Sequence, residues 1–102
     1  MALLSDLARE RAEQMEHARL RLRERFGLLA GERTVEELAR TALEQGERIT
    51  GWDLRKIDGA RSNPRRQTWV RVTFRGRDMA VCVDFLTAMV RTVVPFAQEE
   101  RA

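Results

Sequence analysis

QTWVRVTFRGRDMAVCVD, residues 67–84, decides the fold. Gln67 to Arg75 reads as one strand, with apolar and polar residues alternating strictly from Val70 onward, and Met79 to Asp84 forms a second, mostly apolar run. A period of two is the mark of a strand with one buried face. Gly76-Arg77 between the runs suits a two-residue hairpin turn with glycine in its first position. That turn predicts a register in which Arg75 faces Asp78, Phe74 faces Met79, Val72 faces Val81, Val70 faces Val83, Arg71 faces Cys82 and Trp69 faces Asp84. Val70, Val72, Phe74, Met79, Val81 and Val83 then share a core face. Trp69, Arg71, Thr73, Arg75, Asp78, Ala80, Cys82 and Asp84 share the other, read as open.

Upstream, Ile49 to Ile57, with Trp52 and Leu54, is a first strand. Asp58 to Arg66 is turn chemistry and charge, hence a loop. The period is helical before that. Thr34 and Glu37 have capping-box spacing, and Val35, Leu38, Ala39, Ala42 and Leu43 lie on one face of a helix over 34–45 that Gly46 stops. Leu3 to Phe26 contains no glycine or proline and reads as a long helix, with Ser5 as N-cap and Gly27 or Gly31 as its end. Its acids come early and its arginines late, as the macrodipole favours. Its apolar stripe, Ala8, Met15, Ala18, Leu22 and Phe26, is thin and interrupted by Arg11. The helix is therefore expected to project in part, with Met15, Ala18, Leu22 and Phe26 available to a partner or a second copy. Downstream, Asp84 is a good N-cap. Residues 85–94 then read as a third helix with Leu86, Met89, Val90 and Val93 inward, although the β-branched content also allows a strand. Pro95 ends either. The expected fold is α+β in the order ααβββα, one domain over residues 1–102, with a three-stranded antiparallel meander.

Charge is distributed unevenly. Arg55 to Arg77 holds eight bases and one acid, a net +7, whereas residues 1–54 and 78–102 each carry −2 within a chain of net +3. Arginine supplies every base except Lys56, in the acidic helices as much as here. Its position therefore says more than its identity, which a GC-rich coding bias accounts for. A concentrated basic segment points to an acidic partner. Arg55, Lys56, Arg61, Arg65, Arg66, Arg71, Arg75 and Arg77 would supply the charge, and Trp69 a flat face for a base: the combination that single-stranded nucleic acid requires. The competing reading is a solvated sheet face whose arginines guard an edge strand.

Length and composition narrow the rest. The 102 residues, 43% apolar and 34% charged, suit a folded domain with its own core. The one cysteine, Cys82, forbids an intrachain disulfide, and a reducing cytoplasm is the expected location. The N-terminus lacks the basic and apolar regions of a signal peptide. The most apolar stretch, Met79 to Phe96, is too broken by Asp84, Arg91 and Pro95 to span a membrane. His17, the one histidine, falls on a solvated helix face, where a Glu13–His17 pair is usually a surface ion pair. Cys82 is a small strand filler unless Arg71 opposite lowers its pKa. Asp78 and Asp84 stand too far apart to act together. No metal-ligand cluster, phosphate-cradling glycine loop or nucleophile elbow is present, so no cofactor or metal is expected. The chain thus reads as a small non-catalytic binding or regulatory module that engages nucleic acid or a nucleic-acid-handling complex. The alternative is a protein–protein inhibitor of the kind phages and mobile elements carry, acting through the long helix and the basic face. A small arginine-dependent ribonuclease is the remote third.

Overall fold

The computed structural model describes residues 2–50 and 66–96, with side chains from residue 5. Two helices, α1 (Ala2–Phe26) and α2 (Glu32–Gln45), precede four strands: β1 (Glu47–Arg48), β2 (Gln67–Phe74), β3 (Arg77–Asp84) and β4 (Met89–Pro95). The strands form one antiparallel sheet in the order β1-β2-β3-β4. The α+β class holds, but the order is ααββββ. No helix among the described residues is long and apolar enough to cross a membrane.

The expected third helix is strand β4, and the local chemistry explains the substitution. Asp84 does cap: its Oδ1 accepts the Leu86 N–H at 2.8 Å and the Thr87 N–H at 3.4 Å. The capped turn lasts only from Phe85 to Ala88, whose φ of +55° throws the chain back. Beyond it, Val90, Thr92, Val93 and Val94 carry the branched β-carbons that fit a pleated surface better than a helix. Paired with β3, Val90 and Val93 complete the core rows begun by Val83 and Val81.

The β2–β3 hairpin keeps its faces but not its register. Val72 faces Met79 and Val70 faces Val81, a shift of two residues from expectation. Parity is preserved, so Val72 and Val81 still share the core face. The turn is Arg75-Gly76, not Gly76-Arg77. Both residues have positive φ, +53° and +78°, the arrangement of a type I′ turn, whose twist matches that of the strands. Its geometry places glycine second and the arginine in the left-handed region.

One sheet face carries the main core: Val70, Val72, Phe74, Met79, Val81, Val83, Val90 and Val93, covered by Val35, Leu38, Ala39 and Ala42 of α2 and by Met15, Ala18 and Leu22 of α1. α1 packs chiefly on β4 and α2 on β2. Met15, Ala18 and Leu22 are 8%, 0% and 0% exposed, and Phe26 packs on the same core. The stripe expected to serve a partner is therefore an internal seam, because the fourth strand gives it a surface to cover. Leu43, expected inward, is exposed.

Boundaries shift in smaller ways. Ser5 lies inside α1 and does not cap it. Gly31 caps α2, with no side-chain hydrogen bond, so Thr34 sits within the first turn. Gly27, at φ +67°, ends α1. Gly46 ends α2 where a Cβ would fall 2.5 Å from Ala42 O and 2.6 Å from Val70 Cγ2, so only glycine lets helix and β2 approach this closely. The first strand begins earlier than expected, at Glu47, and continues through an Ile49 N–H bond to Trp69 O of 2.9 Å. Trp52, Leu54 and most of the 58–66 loop lie outside the described residues.

The second sheet face is not open. Ile49, Trp69, Ala80, Cys82 and Phe96 form a smaller buried cluster there, with Val94 against it.

Candidate functional site

The expected basic face is dispersed into separate attachments. Trp69 is 5% exposed, and a stacking platform needs an accessible ring face, so that role is corrected to a core one. Arg71 grips Asp78 with both prongs, Nε to Oδ1 at 3.0 Å and Nη2 to Oδ2 at 2.6 Å, and lies over the Phe96 ring at 4.2 Å. Arg75 Nη2 donates to Glu37 Oε1 at 2.7 Å, fastening the hairpin tip to α2. Arg77 Nε donates to Phe26 O at 3.1 Å, where α1 runs out of its own hydrogen bonds. Arg66 Nε donates to Asp84 Oδ2 at 2.8 Å, and its Nη2 forms an ion pair with Glu10. Arg55, Lys56, Arg61 and Arg65 lie outside the described residues.

Asp84 organises the strongest polar cluster. Its carboxylate is wholly buried, yet accepts from Gln14 Nε2 (3.0 Å), Arg66 and the Leu86 and Thr87 amides, with Arg91 Nη1 at 3.6 Å. Burial alone would raise its pKa. Those hydrogen bonds, Gln14's first, outweigh burial and hold it below the ordinary 3.8. Thr87 Oγ1 donates to Gln14 Oε1 at 2.6 Å, and Arg11 Nε donates to Thr87 O at 3.1 Å. In return, the hydrogen bonds that Arg66 donates to Glu10 and Asp84 raise its pKa. This cluster is fully occupied with holding the β3–β4 turn against α1.

The arrangement with unused chemical capacity lies beside it. Glu13, His17, Arg21 and Arg25 follow one another at four-residue steps along α1, each about 6 Å further along the axis and only slowly drifting round it. Arg91 joins them from β4. The β3–β4 ladder passes from Cys82↔Thr92 to Val83↔Val90, which leaves Arg91 as the extra residue of a bulge. Bulges re-aim side chains and recur next to active sites. Glu10, Glu13, Gln14, His17 and Arg91 line one shallow cleft. The arginines are held from behind while remaining accessible. Arg25 Nη1 donates to Val93 O at 2.8 Å, Arg21 Nη1 meets Glu24 Oε1 at 2.6 Å, and the Arg91 side chain is 38% exposed beyond its contact with Asp84.

His17 registers the field of this cluster. Partial desolvation on the cleft wall lowers its pKa from 6.5, followed by the positive charges of Arg21 and Arg25 and, more weakly, Arg91; Glu24 opposes them. The neutral imidazole, able to accept a proton, is thereby favoured, with Arg91 in the same cleft and Arg21 and Arg25 further along α1 suited to an oxyanion. Cys82 offers no comparable reactivity. Burial pushes its thiol up to about 11, against which the nearby Arg91 counts for less. Among the described residues no three His, Cys, Asp or Glu side chains gather as a metal site.

Reading the sequence by charge density missed this group, because two of its arginines are diluted by the acids of α1. The usable signal was the spacing 13, 17, 21, 25. Arg91 gave no signal, since only the bulge brings it there. No family model, curated protein or solved structure matches the chain.

Proposed function

We propose that the chain is a small nucleic-acid-binding module that grips the phosphate backbone with Arg21 and Arg25 of α1 and Arg91 of β4. One observation carries this reading: Arg21 and Arg25 follow His17 at four-residue steps along α1, and the β4 bulge brings Arg91 into the cleft that His17 lines, so three cationic side chains flank one histidine. Grouped positive charge of this kind attracts a phosphodiester. Arg66, Arg71 and Arg75 each hold a carboxylate, as Arg21 and Arg91 also do, but the hairpin arginines are spread over separate attachments rather than grouped beside one cleft. Arg55, Lys56, Arg61 and Arg65 belong to the proposal through sequence charge alone.

The test is fluorescence anisotropy with a labelled single-stranded oligonucleotide across a salt series. With ~3 phosphate contacts, log K should fall with log salt at a slope of about −2. Arg21→Glu with Arg25→Glu should abolish binding, whereas Arg71→Glu should leave most of it. Absence of binding at low salt, or full binding by the double variant, removes the reading.

A second reading is a regulator that docks on a protein. Phe85 and Leu86, 53% and 59% exposed, stand on the turn that Asp84 braces, and a fixed apolar tip suits an anchor role. A pull-down from native extract, with and without nuclease, separates the two. A partner kept after nuclease treatment and lost with Phe85→Ser and Leu86→Ser supports the second reading.

A further inference from the structure

Building on the phosphate-binding reading above, we propose that the α1–β4 cleft cleaves RNA, with His17 as general base toward a ribose 2′-hydroxyl and Arg21, Arg25 and Arg91 stabilising the charge that develops on the phosphate. The geometry supplies each part. His17 lines the cleft with Glu10, Glu13, Gln14 and Arg91, and Arg21 stands one helical turn beyond it on α1. The bulge directs Arg91 across from β4. Arg25 is tied to Val93 O and Arg21 to Glu24, so both guanidinium groups are placed before any phosphate arrives. Preorganised cations of this kind act on a transition state without reorganising.

The 2′-oxygen attacks the adjacent phosphorus while its proton passes to an imidazole nitrogen of His17. The P–O5′ bond breaks, and the departing 5′-oxygen takes a proton from solvent. The products are a 2′,3′-cyclic phosphate and a 5′-hydroxyl end; His17 then returns its proton to water. The step is redox-neutral and needs no co-reactant. It requires a 2′-hydroxyl, so DNA binds without being cut.

Charged groups facing His17 come from both packed elements: Glu10, Glu13, Arg21, Glu24 and Arg25 from α1, and Arg91 from β4. Burial first, and then the arginines, lower the His17 pKa from 6.5, so cleavage should hold through neutrality and fall in acid.

The experiment uses the full chain at high concentration with a labelled RNA oligonucleotide, the same RNA methylated at its 2′-oxygens, and the matching DNA. RNA alone should be cut, leaving cyclic phosphate ends. His17→Ala and His17→Gln, purified identically, should lose about a hundredfold or more in rate. Both should keep the circular dichroism spectrum and the oligonucleotide affinity of the parent chain. Arg21→Ala should weaken both affinity and rate. Binding with no cleavage across pH 5–9 overturns the catalytic proposal and leaves the binding reading standing. Cleavage undiminished in both His17 variants also overturns it. Failure to bind any of the three oligonucleotides overturns both.

Discussion

Gln14 Nε2 donates a 3.0 Å hydrogen bond to Asp84 Oδ2 across 70 residues of sequence, tying the first helix to the turn before the last strand. Both partners are buried, and Asp84 is wholly so. Removing the carboxylate strands a buried amide and leaves Arg66 and Arg91 without their shared acceptor. Asp84→Ala should therefore cost about 3–5 kcal/mol of stability, and the isosteric Asp84→Asn less. Urea denaturation measures both. A loss under about 1 kcal/mol for the alanine variant would show that the network contributes little.

The same carboxylate sets an acid limit. Its pKa is depressed in the folded chain, so the stability it contributes is complete above the unfolded value near 3.8 and is lost as pH falls through the lower folded value. Unfolding free energy should decline below pH 4 in the parent chain. That slope should flatten in Asp84→Asn, and identical slopes in the two proteins would contradict this origin.

Two glycines should respond differently to alanine. Gly46→Ala drives a methyl into Ala42 O and Val70, with a cost of about 2–3 kcal/mol from forced displacement of helix against strand. Gly27→Ala meets no atom within 4 Å and suffers only from its positive φ, about 1 kcal/mol. Thermal melts of the pair should keep that order, and the reverse order would contradict it.

Leu22 has no exposed surface, so Leu22→Ala should cost about 2–5 kcal/mol, and Leu22→Asp should prevent folding. A folded Leu22→Asp protein with an altered oligomeric state in light scattering would place this residue on an interface instead.

Cys82, with its thiol pushed up to about 11, should resist an aromatic disulfide reagent at pH 8, where about one thiol in a thousand is ionised. Denaturant should release full reactivity. Rapid labelling of the native chain would show that the second sheet cluster opens readily.

Much of the fold can be read from period and parity. The alternation from Val70 to Phe74 identifies both a strand and its buried face, because a two-residue slip leaves every side chain on its own side. The type I′ turn was not legible in detail, since it requires Arg75 to adopt a left-handed backbone. β4 was misread because the Asp84 cap is real but serves a single turn. Local chemistry at a helix start and at a tight turn is the same, and pairing with β3 decides between them. The candidate site was legible only in its helical half. His17, Arg21 and Arg25 share a spacing that can be counted, whereas Arg91 arrives through a bulge that depends on the partner strand.

The seat of α1 has a consequence for biosynthesis. Met15, Ala18 and Leu22 are synthesised well before the strand they pack against, Met89–Pro95. Until β4 is made, the first helix lacks its main docking surface, and much of its apolar row stays open to solvent or to chaperones. A chain truncated before Met89 should therefore be a target for proteolysis, and the emergence of β4 from the ribosome is the event that lets α1 dock.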